Sequence, residues 1–246
     1  MKKRRVVEKV RWITMEKKLR LVIITALLLA LILTGGFYIY ASDYYRADDV
    51  AIAVMQNETA LRFQDNLTIL SPTVPSDTAF IFYPGAKVEH TAYLPILKKI
   101  TQSSGITCIL VKMPFNMAIF DANAADKIMQ KFPEIKNWYI GGHSMGGAMA
   151  SDYASKHEEK VSGLILLGAY IYGDYSEENA LTIYGTFNTS VAEKINYTQN
   201  IVIIEGGNHA QFGNYGRQKG DPDATISSEE QQNIAVQAVF DWLNTR

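Results

Sequence analysis

Residues 142–146 read Gly-His-Ser-Met-Gly, a G-x-S-x-G pattern directly behind the apolar run Trp138-Tyr139-Ile140. The small-residue segment Gly147-Ala148-Met149-Ala150-Ser151 follows at once. A strand that ends in a sharp turn and feeds a helix presents a serine hydroxyl at the helix N-terminus, where it serves as a nucleophile. In so tight a turn a side chain at 142 or 146 would meet neighbouring backbone, and Ser144 itself is expected in a strained conformation.

A hydroxyl is a poor nucleophile until a base takes its proton, so Ser144 requires a histidine. The chain has four. His143 lies within the turn, its side chain expected to point away from Ser144. His157, in Lys156-His157-Glu158-Glu159, reads as a solvated helix-end residue, and His90, after Lys87-Val88-Glu89, as a surface or capping residue that opens a helix. His209 stands in Gly206-Gly207-Asn208-His209, just past the apolar run Ile201-Val202-Ile203-Ile204 and with one helix still to come. It is the candidate base.

The elements that must position these two residues are legible as apolar runs at 67–70, 79–83, 107–113, 138–141, 163–167, 181–184 and 201–204. Amphipathic segments of helical length lie between or after them, at 89–103, 123–131, 145–157 and 228–243. Strands alternating with helices, the strands nearly continuously apolar, predict an α/β fold with a mostly parallel sheet covered on both faces. Such sheets carry their sites at the carboxyl ends of the strands, where Ser144 and His209 both fall.

Taken together, four stretches make the chain resemble the α/β-hydrolase family, in its small, lidless, dienelactone-hydrolase-like esterase branch. They are Phe82-Tyr83-Pro84-Gly85-Ala86, Val111-Lys112-Met113-Pro114-Phe115-Asn116, the glycine-rich turn at 141–147, and GGNHAQFG at 206–213. The resemblance covers roughly residues 60–246. It implies Ser144 as nucleophile and His209 as base, and an oxyanion hole formed by the backbone N–H groups of Met145 and Ala86. Negative charge on a tetrahedral intermediate is stabilised by two such rigid donors. Pro84 has no N–H and cannot be one of them.

The family pattern breaks at the third triad position, which orients the histidine and stabilises its cation. The resemblance implies a carboxylate in a G-x-x-D setting, whereas this chain reads Gly185-Thr186-Phe187-Asn188. An amide can hold an imidazole but supplies no charge, and in a serine protease replacing the acid by its amide costs about 10⁴ in turnover. Three explanations stay open. Asn188 acts as a weak orienter, Asp174 in Tyr172-Gly173-Asp174 supplies the carboxylate instead, or activity has been lost. Glu205, at a strand end beside the histidine loop, is expected to face away.

Family members often insert a lid where this chain has only residues 168–180, so the site is expected to be open. Tyr170, Tyr172 and Tyr175 there are either an aromatic wall or packing. Lone Cys108, in an apolar run, reads as a buried small hydrophobe and permits no intramolecular disulfide. Neither a Cys/His ligand cluster nor a phosphate loop is visible, so no metal and no cofactor is implied. Four N-x-S/T sequons, at Asn57, Asn66, Asn188 and Asn196, carry weight only in a eukaryotic secretory pathway.

The net charge of −1 conceals an asymmetry: residues 1–20 carry +7 and the remainder −8. A basic head on an acidic body suggests a nucleic-acid arm, but the uncharged stretch behind the head argues against one. Residues 21–41, LVIITALLLALILTGGFYIYA, contain no charge, and about 20 residues suffice to span a bilayer. The preceding basic cluster orients the N-terminus to the cytoplasm and the body outside. Tyr38, Tyr40, Tyr44 and Tyr45 suit an aromatic belt at the outer interface. A cleaved signal peptide is the competing reading, but cleavage after Ala41 would put Ile39 at the −3 position, a poor fit.

The expected organisation is a basic cytoplasmic segment (1–20), a transmembrane anchor (21–41), a stalk and lead-in helix (42–60) and an α/β-hydrolase domain (61–246). The expected function is that of a membrane-anchored, extracytoplasmic serine hydrolase that cleaves small-molecule carboxylic esters or related acyl bonds and does not bind nucleic acid. The alternative is a catalytically weak or inactive binding or envelope protein on the same fold.

Overall fold

The structure is a computed structural model that describes residues 2–246, with side chains from residue 17 onward. It divides into two compact units, residues 1–43 and 44–246. The first holds helix α1 (Lys2–Ser42). Its stretch Lys17–Ser42 is long and apolar enough to cross a membrane, and none of its most apolar window is buried.

The second unit opens with α2 (Asp49–Asn57), which Asp48 caps by accepting the N–H groups of Val50 and Ala51 at 3.0 and 3.1 Å. Such a cap satisfies donors that have no intrahelical partner. Eight strands follow: β1 (Leu61–Gln64), β2 (Leu67–Leu70), β3 (Thr78–Tyr83), β4 (Thr107–Val111), β5 (Asn137–His143), β6 (Gly163–Leu167), β7 (Ala180–Gly185) and β8 (Ile201–Ile204). They form one sheet in the order β1-β2-β4-β3-β5-β6-β7-β8. β1 and β2 form an antiparallel hairpin, β2 is also antiparallel to β4, and every other pair is parallel. Strand β1 adds to the seven apolar runs read from the sequence. Its residues Arg62 and Phe63 are exposed, so it lacks the continuous apolar run that marks the inner strands.

Successive strand residues point to opposite faces, and the two cores follow that period of two. Phe80, Phe82, Cys108, Leu110, Ile165 and Leu167 build one core with helices α3 (Leu94–Ser104) and, late in the chain, a long C-terminal helix at Ser228–Leu243. Ala79, Ile81, Tyr83, Ile109, Leu164 and Leu166 build the other, with α4 (Ala124–Lys131) and α5 (Met145–Lys156). A single-turn helix, α6 (Thr189–Ala192), follows β7, so the C-terminal helix is α7. Residues 168–176, between β6 and β7, contain no helix, and only a 3₁₀ turn at Glu177–Asn179 precedes β7.

β5 lies near the middle of the sheet between β3 and β6. Its carboxyl end, where the chain reverses into α5, is therefore surrounded by the ends of neighbouring strands. Tyr45 lies in the second unit, its ring 5.6 Å from that of Tyr215, so it is part of the domain's packing.

Candidate active site

β5 runs through Gly141-Gly142-His143, and α5 begins at Met145, leaving Ser144 alone at the junction. Ser144 adopts φ 54°, ψ −124°, outside the helical and extended regions. A residue held in such a sparsely populated conformation costs about 1–3 kcal/mol. Two backbone bonds hold it: Ser144 N–H donates to the Leu167 carbonyl at 3.1 Å, and Ala148 N–H donates to the Ser144 carbonyl at 3.0 Å. Gly142 and Gly146 are required by close approach, because a Cβ at either would collide with the carbonyl oxygen of Tyr83. The turn is thus pressed against the end of β3.

His209 sits just beyond β8 on the 206–213 loop. Side chains from other elements anchor that loop. Gln231 of α7 accepts the Asn208 N–H at 3.0 Å and donates to the Asn208 carbonyl at 2.9 Å. The Asp221 carboxylate accepts the N–H groups of His209 at 3.2 Å and Ala210 at 2.8 Å. The His209 carbonyl accepts a further bond, from His143 Nε2 at 2.9 Å.

Ser144 and His209 line one cavity of about 570 Å³, together with Met145, Tyr170, Asn188 and Asp221. That volume falls in the range of small-molecule sites. The side-chain amide nitrogen Nδ2 of Asn188 lies 2.8 Å from His209 Nδ1, and Asn188 itself is buried. Asp174 is exposed and does not line the cavity. Met145, first residue of α5, lines the cavity, whereas Ala86 is half-buried in the turn after β3 and does not. Of the three tyrosines after β6, Tyr170 faces the cavity, Tyr172 is exposed and Tyr175 is buried in a core. Glu205 is exposed.

His143 is fully buried and forms part of a hydrogen-bonded chain. Gly85 N–H donates to the Tyr93 hydroxyl at 3.1 Å, and that hydroxyl lies 2.8 Å from His143 Nδ1. With its oxygen already accepting from Gly85, the Tyr93 O–H donates to Nδ1, which leaves the His143 proton on Nε2, facing the His209 carbonyl. Burial holds His143 well below the ordinary histidine value, so it stays neutral, as this tautomer needs. The chain Gly85–Tyr93–His143–His209 therefore couples the turn after β3 to the histidine loop. His209 is also drawn below its ordinary value by burial, the Asp221 carboxylate opposing.

Two features lay beyond the reach of the sequence. Asp221 follows His209 by twelve positions in an unpatterned Gly-Asp-Pro-Asp stretch, and nothing in the spacing marks it. Tyr93 and His143 are fifty positions apart and meet only across the fold. A buried aromatic hydroxyl, which must find a partner, is the one general signal that could have drawn attention to Tyr93.

The strand order and the sharp turn between β5 and α5 define a fold that comparison with known proteins also recovers. A model of the alpha/beta hydrolase family matches residues 79–233, and the chain belongs to that family. Three solved structures share the fold at low sequence identity. An alpha/beta hydrolase enzyme from the metagenome of Lake Arreo, Spain is 10% identical with a TM-score of 0.52, over 73% of this chain and 78% of that one. MenH from S. aureus is 13% identical with a TM-score of 0.52, over 74% and 99%. A soluble variant of monoglyceride lipase from Saccharomyces cerevisiae is 11% identical with a TM-score of 0.51, over 75% and 93%. No curated protein matches the chain.

Proposed function

We propose that this protein is a serine hydrolase of carboxylic esters or related acyl bonds, anchored in a membrane by residues 21–41 with its domain outside the cytoplasm. The observation that carries the reaction is the Asn188 amide 2.8 Å from His209 Nδ1, in a cavity that also holds the strained Ser144. For the anchor, support comes from the apolar, unburied stretch Lys17–Ser42 and the basic cluster that precedes it.

In this reading the Ser144 Oγ bonds to the acyl carbon while His209 Nε2 takes its proton. The ester C–O bond then breaks, and the alcohol leaves with that proton. Water bonds to the acyl carbon as His209 takes its proton; the bond from that carbon to Ser144 Oγ then breaks, His209 returns the proton to Oγ, and the acid leaves. Met145 N–H, at the positive end of α5, donates to the oxyanion, and Ala86 N–H is assigned as its second donor.

Nε2 can act as base only when the proton sits on Nδ1, so Nδ1 needs an acceptor. The Asn188 amide has a donor and an acceptor edge, and the edge away from His209 faces Ser190 Oγ at 3.1 Å. In the structure Nδ2 faces Nδ1 and Oδ1 accepts from Ser190; a half-turn of the amide brings Oδ1 to Nδ1–H and lets Nδ2 donate to the Ser190 hydroxyl, which accepts as readily as it donates. Asn188 is then the orienting group, and Asp221 supplies the negative charge beside His209 that an amide lacks.

A fluorophosphonate probe tests the reading on the full-length protein in detergent. Labelling is expected at Ser144, absent in Ser144→Ala and nearly absent in His209→Ala. Strong wild-type labelling at another serine would refute the assignment, and no labelling of a folded protein would favour a non-catalytic role. Carbonate washing tests the anchor. A soluble form beginning near Ser42 would sink it.

A further inference from the structure

The segment between the apolar helix and α2 is built into the edge of the domain that carries the cavity. Tyr45 pairs with Val88 as a parallel bridge: its N–H donates to the Lys87 carbonyl at 2.7 Å, and its carbonyl accepts from Glu89 N–H at 2.8 Å. Lys87 comes directly after Pro84-Gly85-Ala86, the turn assigned to the oxyanion hole. On its other side, the Tyr45 hydroxyl accepts the backbone N–H of Lys219, a residue that lines the cavity, at 3.0 Å. Asp48 N–H reaches the Asn214 carbonyl at 2.8 Å. Ser42 closes the apolar helix only three residues before Tyr45, and three residues span at most about 11 Å. Chain length alone sets this limit.

The same edge bears an apolar cluster. Lys87 N–H donates to the Asn116 carbonyl at 2.8 Å, which joins the Tyr45 bridge to the loop after β4. On that loop Phe115, Ile119 and Phe120 are 51%, 57% and 49% exposed, and the rings of Phe115 and Phe120 meet edge to face at 5.5 Å. Exposed aromatic and apolar side chains grouped in this way suit the interface of a bilayer.

We propose that the cavity-bearing edge of the domain rests on the bilayer surface and that the substrate is the acyl ester of a membrane amphiphile, entering from that surface. The proposal rests on the serine-hydrolase and anchor readings above and adds the substrate class and the route of entry. Phe115, Ile119 and Phe120 insert at the interface, the short tether keeps the cavity within reach of it, and the lidless site admits an ester whose acyl chain remains partly in the lipid.

The test uses the full-length protein in phosphatidylcholine–phosphatidylglycerol vesicles. Ile119→Cys is labelled with bimane, which is selective because Cys108 is fully buried. Brominated lipid is expected to quench this label and to spare one at Val74→Cys, on the loop before the amino end of β3. Hydrolysis of a fluorogenic diacylglycerol ester in the vesicles is compared with that of dissolved p-nitrophenyl acetate. In the Ile119→Ser/Phe120→Ser double variant the ratio of the two rates should fall about tenfold or more, through lost interfacial insertion. An unquenched label at 119, an unchanged ratio, or cleavage of the dissolved ester alone overturns the proposal while leaving the serine-hydrolase reading intact. Failure of both esters together with absent labelling at Ser144 overturns the chemistry, and carbonate release overturns the anchor; either one removes the proposal with it.

Discussion

His143 Nε2 donates to the main-chain carbonyl of His209 at 2.9 Å, and the two imidazole rings lie 4.5 Å apart at their centroids. The residue beside the proposed nucleophile thus holds the backbone of the proposed base. With Tyr93 on its far nitrogen, His143 makes the serine turn, the turn after β3 and the histidine loop one mechanical unit. The unit is buried, so its bonds do not compete with water, and loss of any partner strands a polar group.

Removal of the Tyr93 hydroxyl should accordingly cost more than one hydrogen bond. In Tyr93→Phe the Gly85 N–H and His143 Nδ1 both lose their partner inside the core. Each unsatisfied group costs about 1–3 kcal/mol, so a loss of about 2–6 kcal/mol is expected. Urea unfolding of the wild type and variant measures it, and a loss under about 0.5 kcal/mol would show that the chain of bonds has no energetic weight.

The orienting amide offers a sharper test. A carboxylate at 188 would stabilise the imidazolium formed as Ser144 attacks, and Ser190 can donate to it. Asn188→Asp should therefore raise turnover of an activated ester about tenfold or more, well short of the 10⁴ lost by the reverse change where no second carboxylate is near. Asp174→Asn should leave turnover within about twofold, as expected for an exposed residue outside the cavity. A large loss in Asp174→Asn would restore that residue as the triad acid.

Asp221 should appear in the pH profile. The proposed base, His209, can take a proton only when neutral, so activity should rise as it loses its proton. Burial lowers its pKa, which puts the midpoint of that rise below 6.5, and the Asp221 carboxylate pulls it back up. Asp221→Asn removes this pull. The midpoint should move to still lower pH, and the plateau of kcat should fall roughly tenfold as the imidazolium loses a stabilising charge. A kcat–pH profile with an unmoved midpoint would mean that Asp221 acts only as a backbone anchor.

Stability should depend on pH through His90. Burial, aided by Lys112, lowers its pKa to about 4, against 6.5 for the ordinary residue, while Glu89 opposes. The neutral form is favoured by folding, so this contribution is complete above pH 6.5 and is lost as pH falls toward 4 and the unfolded chain takes up a proton. At 1.36 kcal/mol per unit, the loss by pH 4 is on the order of 3 kcal/mol. Urea unfolding at pH 7 and 4.5 should show a smaller difference for His90→Gln than for the wild type.

What the sequence by itself determined is whatever lies within a few consecutive residues. The turn at Ser144 is such a feature, because Gly142 and Gly146 are the only residue type that tolerates the Tyr83 carbonyl at contact distance. The inner strands are another, because burial on both faces demands a continuous apolar run, and the exposed strand β1 is invisible for want of one. The position of His209 just past the last strand was legible as well. Tertiary structure alone sets Asn188, and not Asp174, beside His209, since both follow strands and only packing brings the amide across 21 positions to Nδ1. It alone brought Asp221 to the histidine loop and joined Tyr93 to His143. Hydrogen bonds reach about 3 Å and carry no mark in residue spacing, so partners far apart in the chain are visible only once the strands that carry them are set side by side.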